Sequence, residues 1–462
     1  MNILFIYPNR SHQEAISTGL ACISGYFKKN NNNHNIKLFD FTWGAKSEDL
    51  YKIINTFKPK LIGITLSTLD FDFCKELIRT IRRISDSIIV LGGAHPTVAP
   101  EECIKYADIV CIGEGEKAFK ELIEKINNNE DFSKILNLWV KKGDNIIKND
   151  LCNLIEDLDN LEFDRELFDI HKYNKARNYT IDVFAGRGCP YNCSSCINHY
   201  QQKLYQGKGK YVRIRSPENL INEIKVLRKK YRIDKISFPD DTFTINKKWL
   251  IKFCELYRKE INIPFVCNAR VENINDDVCK ALKKANCYAL KIGVESGSVN
   301  IRKNVLRRFM STAQLINAFK LCKKYGLKTQ SYNMIGMPYE TKNDIYKTIS
   351  LNRLIEPNEL AITIWQPFPG TELFNLVKEK GWITDRKIED YYSGSIMNYD
   401  HISAKEIKKI RDYFAFNVYI KISLIRAIRA LLEGKFFNKY GDIRPYLPIK
   451  IRKIIQKIAN IS

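Results

Sequence analysis

The sequence predicts an α/β protein in which two parallel sheets follow one another along the chain, before a helical C-terminal region. Short apolar runs alternate with helical patterns over residues 1–130, and the alternation returns over residues 179–375. Residues 131–178 interrupt the alternation with a hairpin and a stretch, 153–164, that has no clean period, and residues 376–462 change to amphipathic helical patterns. We expect these four ranges to be the structural units of the chain.

The first unit has the spacing of a doubly wound sheet, in which buried parallel strands form continuous apolar runs. Its predicted strands are Ile3–Tyr7, Ile36–Phe41, Leu61–Leu66, Ile88–Leu91 and Ile109–Ile112. Its helical patterns lie near residues 17–29, 47–57, 70–84, 100–106 and 116–127. Ligands of such sheets bind beyond the carboxyl ends of the strands. The loops that follow the strands are therefore the candidate binding residues.

These loops are rich in glycine and small polar residues. They contain Thr18-Gly19-Leu20 after the first strand, Ser67-Thr68 after the third, Gly92-Gly93-Ala94-His95-Pro96-Thr97 after the fourth and Gly113-Glu114-Gly115-Glu116 after the fifth. Glycine lets a backbone approach a ligand closely, and helix N-termini can receive phosphate. The four loops together predict a binding edge.

The second unit has two parts. A hairpin is predicted from Leu136–Val140 and Asn145–Lys148 around a glycine turn, and an ordered linker follows it. We expect a structural role for both.

The third unit predicts a partial parallel barrel of six strand–helix units, whose working residues lie at the carboxyl ends of the strands. The predicted strands are Thr180–Phe184, Lys235–Phe238, Pro264–Asn268, Ala289–Val294, Thr329–Ile335 and Leu360–Gln366. Pro217–Tyr231 and Thr312–Tyr325 are two of the helices between them.

Three cysteines, Cys189, Cys193 and Cys196, follow the first strand of this barrel with the spacing Cys-x3-Cys-x2-Cys. Cysteine thiolates are the usual ligands of iron–sulfur clusters. A four-iron cube held by three thiolates leaves one iron free to take a substrate. A structural zinc site instead needs four ligands, usually in two pairs, and this loop supplies one pair. A basic zinc protein that binds nucleic acid is the alternative from another class.

The cysteine loop closely resembles that of the radical S-adenosylmethionine (SAM) enzymes. The resemblance implies a [4Fe-4S] cluster on Cys189, Cys193 and Cys196, with SAM bound at the open iron and cleaved to a 5′-deoxyadenosyl radical. It also implies an external electron donor of the flavodoxin or ferredoxin type. The family usually has an aromatic residue before the third cysteine, where this chain has Ser195.

The loops of the first unit resemble those of the cobalamin-binding domain in one large branch of this family. The cobalamin-binding residues implied are Thr18, Gly19, Leu20, Ser67, Thr68, Gly92, Gly93, His95, Pro96, Gly113, Glu114, Gly115 and Glu116. An Asp-x-His-x-x-Gly string, which supplies the lower histidine ligand of cobalt in other cobalamin proteins, is absent. We therefore expect a weakly ligated or unligated lower face.

The barrel strand ends also match the family. By resemblance, Asp240 and Asp241 contact the methionyl ammonium, Glu295 the ribose and Gly336 the adenine. A carboxylate suits an ammonium group, so the chemistry agrees with the first placement. The candidates for the methionyl carboxylate are Arg270, Arg307 and Arg308.

Composition narrows the cellular compartments in which the protein can function. The chain of 462 residues is 45% hydrophobic, and none of its apolar runs reaches the length of about eighteen residues that a membrane span needs. The N-terminal residues predict a strand and not a signal peptide. Thirteen cysteines without regular spacing suit a reducing cytosol. We expect a cytoplasmic protein.

The net charge is +23, from 75 basic and 52 acidic residues. A lysine-, asparagine- and isoleucine-rich composition explains it over most of the chain. From Lys405 onward, however, about fourteen Lys and Arg face four Asp and Glu. This tail, which includes the predicted helices Ile402–Asn417 and Val418–Leu432 and the stretch Ile449–Ile458, forms either a solvated cap on the barrel or a surface for an anionic membrane or substrate.

Together these features predict a cobalamin-dependent radical SAM methyltransferase that acts on an unactivated carbon of a small-molecule or lipid substrate. A cyclase or oxidoreductase that uses both cofactors without methyl transfer is the nearest alternative. We expect no stable nucleic-acid partner, and peripheral contact of the basic tail with a membrane is the alternative to a solvated cap.

Overall fold

The structure is a computed structural model that describes residues 1–10, 14–30, 35–388 and 390–431. It contains the two predicted sheets, one of seven strands and one of six, with helices at the C-terminus. The predicted basic stretch Ile449–Ile458 lies outside the described residues.

The first sheet has the strand order β2-β1-β3-β4-β5-β6-β7. Its strands are β1 Asn2–Tyr7, β2 Asn35–Asp40, β3 Leu61–Thr65, β4 Ile88–Gly92, β5 Ile109–Cys111, β6 Leu138–Lys142 and β7 Asn145–Lys148. The first five strands pair in parallel, whereas the predicted hairpin, β6 and β7, adds to the edge of the sheet in antiparallel fashion. The hairpin therefore packs as part of the first domain.

Helices cover both faces of this sheet. They are α1 Thr18–Asn30, α2 Ser47–Phe57, α3 Phe71–Ile84, α4 Ala94–Val98, α5 Pro100–Cys103 and α6 Glu116–Asn127. The buried residues of α1 and α6 belong to one apolar cluster and those of α2 and α3 to another, on opposite sides of the strands. The single helical pattern predicted near residues 100–106 is replaced by the short helices α4 and α5. They are separated at Ala99, because a residue before proline disfavours the helical conformation.

The linker, residues 149–178, packs against α1. Ser24 donates a hydrogen bond to Asp164 at 2.6 Å, and Lys28 forms an ion pair with the same carboxylate at 2.8 Å. Tyr173, in α7 Ile170–Ala176, reaches back to Asp40 at the end of β2. These contacts tie the linker to the first domain.

The second sheet is a curled parallel half-barrel with the order β15-β14-β13-β12-β11-β8. Its strands are β8 Thr180–Asp182, β11 Lys235–Phe238, β12 Phe265–Ala269, β13 Cys287–Glu295, β14 Lys328–Ile335 and β15 Glu359–Ile364. Its helices are α8 Ile197–Leu204, α9 Pro217–Lys230, α10 Lys247–Glu260, α11 Asp276–Lys284, α12 Thr312–Lys324, α13 Lys342–Ile355 and α14 Glu372–Glu379. All six predicted strands are present.

A small antiparallel pair was not predicted. It joins β9 Gly186–Arg187 to β10 Arg213–Ile214, on either side of the cysteine loop and α8. This pair closes the loop that carries the three cysteines.

The C-terminal region packs on the far edge of the half-barrel. Helix α15, Ala404–Tyr419, contacts α13 and β15, and residues 424–431 form a further helical segment. The second predicted helix starts later than expected, since residues 420–423 turn between the two. Among the described helices, none combines the length and the apolarity that a membrane span requires.

Gly25 shows how tightly α1 meets the linker. A methyl group at this position would lie well inside contact distance of the Glu162 carbonyl, which is rigid backbone. We expect Gly25→Ala to lower the free energy of unfolding by about 1–3 kcal/mol through this clash, measured by denaturant titration.

Gly19→Ala is the matched control, because it lies in the same helix and a methyl group there meets nothing within 4 Å. Equal unfolding midpoints for the two variants would contradict the predicted packing of α1 on the linker.

Candidate active site

The three predicted cysteines lie together in the loop between β9 and α8, at the carboxyl end of β8. Cys189 and Cys193 are each 8% exposed, and Cys196 is half-buried. Each sulfur faces a hydrogen-bond donor, and for Cys189 and Cys193 that donor comes from a distant part of the chain. These contacts are Thr242 Oγ1 at 3.7 Å from Cys189, Arg270 Nη1 at 3.3 Å and Arg308 Nη1 at 3.9 Å from Cys193, and Asn198 Nδ2 at 3.6 Å from Cys196.

This donor set fits an iron–sulfur cluster. Hydrogen bonds to cysteine sulfur are one means by which proteins tune such clusters. Burial raises the pKa of Cys189, and it raises the pKa of Cys196 to about 11; coordination to a metal acts in the opposite direction, because a coordinating thiol is deprotonated. Within the described residues, no three His, Cys, Asp or Glu side chains converge on a single-ion site, and cluster ligands bind separate irons.

Asp240 holds the start of the cysteine loop. Its carboxylate accepts hydrogen bonds from the backbone N–H of Ala185 at 2.9 Å and of Gly186 at 2.6 Å. Burial raises the pKa of Asp240 to about 7, although both backbone hydrogen bonds oppose the shift. The neighbouring Asp241 makes neither of these backbone contacts and lines the cavity described below. Of the predicted acidic pair, Asp241 is the member with a carboxylate open to a ligand.

Glu295 ends β13 in a conformation that few residues other than glycine adopt. Its φ is +61°, and the pairing with β14 shifts register between Gly293 and Glu295. A non-glycine residue in this region carries strain of about 1–3 kcal/mol and often marks a functional site. Arg308 faces the carboxylate at 3.8 Å and donates to the Gly293 carbonyl at 2.7 Å.

The three candidate arginines lie in different surroundings. Arg270 is buried, forms an ion pair with Glu272 at 2.6 Å and stacks on Tyr191 at 3.7 Å. Arg307 is about half exposed and pairs with Glu372 at 2.5 Å. Arg270 and Arg308 thus reach the cysteine loop, whereas Arg307 turns to α14.

One cavity of about 450 Å³ lies between the carboxyl edges of the two sheets. From the predicted residues it is lined by Thr18, Gly19, Leu20, Gly92, Gly93, Gly113, Glu114, Gly115 and Glu116 of the first domain and by Asp240 and Asp241 of the half-barrel. A Cβ at Gly19 would meet no protein atom within 4 Å. Gly93 has a φ of +103°, and a Cβ there would lie 2.9 Å from the Leu66 carbonyl oxygen. The cavity, with open space at Gly19, therefore suits a bulky cofactor, whereas glycine at position 93 is required by close packing against Leu66.

Four predicted cobalamin residues lie outside the lining of this cavity. Ser67 donates to Asp70 at 2.7 Å, and Thr68 lies 3.1 Å from His95 Nδ1. The His95 ring packs on Phe71 with centroids 4.3 Å apart, and burial lowers its pKa to about 4, so it is a neutral buried side chain. The fourth is Pro96. In this structure these residues pack α3 and α4 onto the sheet.

The predicted approach of Gly336 to adenine stays a prediction, and the structure shows the packing contacts of this residue. Its φ is +78°, its N–H is donated to Glu340 at 2.7 Å, and a Cβ would lie 3.0 Å from Ile407 of α15. The structure gives this glycine a packing role against the C-terminal region.

Sequence reasoning missed two arginines that join the domains. Arg187 in β9 pairs with Glu114 at 3.2 Å and Glu116 at 2.5 Å, and Arg213 in β10 holds Glu114 at 2.5 Å. Burial opposes ionisation of Glu114, but the two arginines outweigh it and lower the pKa of Glu114. The Tyr205 hydroxyl accepts from the Glu114 N–H at 2.6 Å. No local pattern marks partners this distant in the chain.

Comparison with known proteins agrees with this arrangement. The model of the radical SAM superfamily matches residues 183–351, and that of the B12 binding domain matches residues 9–123. An uncharacterized methyltransferase of Pyrococcus horikoshii is 30% identical over 442 residues, which cover 90% of this chain and 93% of that protein. The chain belongs to the radical SAM superfamily, in the branch with a B12-binding domain. Its cofactors are a [4Fe-4S] cluster, SAM and cobalamin.

Other relatives of this radical SAM enzyme have different activities or more distant sequences. The anaerobic magnesium-protoporphyrin IX monomethyl ester cyclase of Rubrivivax gelatinosus is 24% identical, over 96% of this chain and 84% of that protein. The cobalamin-dependent SAM radical enzyme OxsB has a TM-score of 0.72 at 15% identity, over 96% of this chain and 72% of that one. The methyltransferase TsrM from Kitasatospora setae has a TM-score of 0.68 at 15% identity, covering 88% and 80%. Both structures share the fold.

The two neighbouring carboxylates are expected to respond differently to amidation. Asp240→Asn replaces one of the two acceptor oxygens by a donor that faces backbone N–H groups, at a cost of about 1.5–3 kcal/mol. We expect this variant to bind less iron after anaerobic reconstitution, measured by iron and sulfide analysis. Asp241→Asn, which disturbs no backbone contact of the loop, should keep its iron. Equal iron content in both variants would contradict the positioning role of Asp240.

Proposed function

We propose that this cobalamin-dependent radical SAM enzyme transfers a methyl group to an unactivated carbon of a small-molecule or lipid substrate. The observation that carries the proposal is the cavity shared by the carboxyl edges of both sheets. Loops that match the B12-binding domain and the acidic residues beside the cysteine loop face the same space. Cofactors held on its two sides would meet one substrate.

Different residues of this chain would bind the cluster and SAM. When bound, the cluster with SAM supplies a 5′-deoxyadenosyl radical and cobalamin supplies the methyl group. Cys189, Cys193 and Cys196 would hold the cluster. Asp241 offers an anionic partner to the methionyl ammonium, since a charge-assisted hydrogen bond is stronger than a neutral one. A cavity enclosed by two domains also limits water, which would quench reactive species.

Glu295 and Arg308 extend the site along the half-barrel. Burial raises the pKa of Glu295, and Arg308 and Arg270 partly offset that effect. A carboxylate held by a strained backbone is well placed to accept hydrogen bonds from the ribose hydroxyls of SAM. We propose that role for Glu295, and we assign Arg308 to orient it.

Methyl transfer is favoured by the Pyrococcus relative, which is named a methyltransferase and is similar over nearly its whole length. The second candidate is a cyclase or oxidoreductase without methyl transfer, favoured by the likeness to the Rubrivivax cyclase over 96% of this chain. Radical SAM enzymes require a reductant, and we propose a flavodoxin or ferredoxin for this one.

Labelled SAM separates the two activities. Holoenzyme incubated anaerobically with methyl-labelled SAM, dithionite and the small-molecule fraction of a cell extract should place label on cobalamin and then on a product, detected by mass spectrometry. Replacing the three loop cysteines with alanine should abolish 5′-deoxyadenosine, because no protein ligand for the cluster remains. Cys152→Ala, outside the loop, is the control. A modified product without label would favour the cyclase activity.

We also propose that the C-terminal region contacts an anionic membrane surface. The helical segment 424–431 leaves Leu424, Ile425 and Ile428 between 48% and 74% exposed. These residues lie in the part of the chain with the strongest basic excess. Exposed apolar side chains among basic residues are typical of interfacial helices.

Vesicle binding measures this contact. The double variant Leu424→Ser/Ile425→Ser should bind vesicles of anionic phospholipid at least about tenfold more weakly than the unaltered protein, because it removes apolar area that would enter the interface. Co-sedimentation gives the affinity. Val226→Ser, at a residue 53% exposed on α9, is the matched control. Equal binding to anionic and zwitterionic vesicles would contradict the proposal.

A further inference from the structure

The concave face of the half-barrel can be read from the alternation of β13 and β14. On β13, Leu290, Ile292 and Val294 are buried in the apolar cluster beneath the helices. The residues between them, including Lys291, therefore face the lumen. Residues directly opposite each other share a face, so Gln330 beside Lys291 also points into the lumen.

Three polar side chains meet at this place. Lys291 pairs in register with Gln330. Gly293, the next residue of β13 on the same face, pairs with Tyr332. All three polar side chains are half-buried. Across the described ranges, none of them makes a hydrogen bond or an ion pair. These donors have no protein partner and line the interior of the half-barrel, so they are available to a ligand that enters the lumen.

Small residues leave room beside these groups. The two strand neighbours of Tyr332 are small: Gly293 on β13, which has no side chain, and Ala361 on β15. Ala289 occupies the lumen position two residues before Lys291 on the same strand. Tyr332 is therefore not covered by a large neighbour from β13 or β15, whereas Gln330 has Glu359 beside it on β15.

The charge of this part of the lumen is basic. Lys235 and Lys328 flank the Tyr288 ring at 4.5 and 4.9 Å, near the amino ends of the strands. Three acidic groups also face this space: Asp182, which Arg177 neutralises through a bidentate ion pair, Glu295, which Arg308 faces, and Glu359, which pairs in register with Gln330. Three lysines therefore outnumber the single carboxylate that has no arginine partner. Burial lowers the pKa of Lys291. Attraction to Asp182 partly offsets this effect, and repulsion from Arg177 adds to it.

We propose that Lys291, Gln330 and Tyr332 form a subsite for an oxyanion, a carboxylate or a phosphate, at one end of the substrate. An ammonium, an amide N–H and a phenol O–H can all donate to the oxygens of such a group. The subsite rests on the proposed function, since it assumes that the substrate enters this lumen.

The subsite also limits the shape of the substrate. Lys291 and Glu295 are four residues apart on β13, which corresponds to about 13 Å. An occupant with its anionic end at Lys291 and its reacting carbon near Glu295 must be elongated. The substrate class is thus an extended molecule with a terminal carboxylate or phosphate.

Chemical labelling of Lys291 tests the subsite in the reconstituted holoenzyme. Trace acetylation is measured by peptide mass spectrometry with decanoate, decyl phosphate or decanol present. Both anions are expected to slow acetylation of Lys291, and decanol should not. Protection by decanoate alone assigns a carboxylate, and protection by decyl phosphate alone assigns a phosphate. Lys259, exposed on α10, reports the unprotected rate. Protection by neither anion, or equal protection by decanol, overturns the proposal.

Variants give a second measurement by isothermal titration with the anion that protects. Lys291→Met should weaken its binding by about tenfold or more, as expected for the loss of a hydrogen bond to a charged group. Tyr332→Phe, which keeps the ring and loses the hydroxyl donor, should weaken binding of the anion by a smaller factor. This variant tests the subsite if Lys291→Met fails to fold. Lys259→Met is the control. Unchanged affinity in the folded variants overturns the subsite.

Failure of the subsite is distinguishable from failure of the proposed function. Transfer of labelled methyl from SAM to cobalamin requires no occupant of the lumen. Label on cobalamin without anion binding therefore rejects the subsite alone. Anion binding at Lys291 without any transfer of label rejects the methyltransferase activity alone.

Discussion

The ion pairs of Arg187 with Glu114 and Glu116 are the contact on which the geometry of the cavity depends. Arg187 lies two residues before the first cysteine of the loop; Glu114 belongs to the glycine-rich loop after β5, and Glu116 is the first residue of α6. One side chain thus positions the cysteine loop against the B12-binding domain. Breaking a buried ion pair typically costs about 3–5 kcal/mol, because the remaining charge is left uncompensated. The ion pairs of Arg187 therefore stabilise the orientation of one sheet relative to the other.

Backbone restraint complements this electrostatic contact. Asp240 fixes the N–H groups of Ala185 and Gly186 from the next strand of the half-barrel. Glu295 is held in a left-handed conformation by the register shift at the end of β13. Rigid placement of this kind is valuable in radical chemistry, where a misplaced reactive group attacks its surroundings. The interior of the half-barrel, by contrast, presents donors without partners, which is the property of a surface that receives a ligand.

Most of the fold could be predicted from the sequence. The eleven parallel strands, the hairpin and the three cysteines lie where local patterns placed them. Burial gives the central strands of the first sheet continuous apolar runs and gives the half-barrel strands apolar residues on the helix side. The glycine loops could be assigned to the strand ends for the same local reason. The prediction for Ser67, Thr68 and His95 instead stays a prediction, and the structure places these residues in packing contacts outside the cavity lining.

The sequence by itself determined the order of the elements, the spacing of the three cysteines and the family, since spacing and periodicity are local properties of the chain. Only the tertiary structure decided which carboxylate of Asp240 and Asp241 is committed to the backbone, which arginines face the cysteines, and how Glu114 pairs with Arg213. It also brought Lys291, Gln330 and Tyr332 together, because strand register sets these neighbours. Ion pairs and lumen contacts join residues far apart in sequence, and no local pattern encodes them.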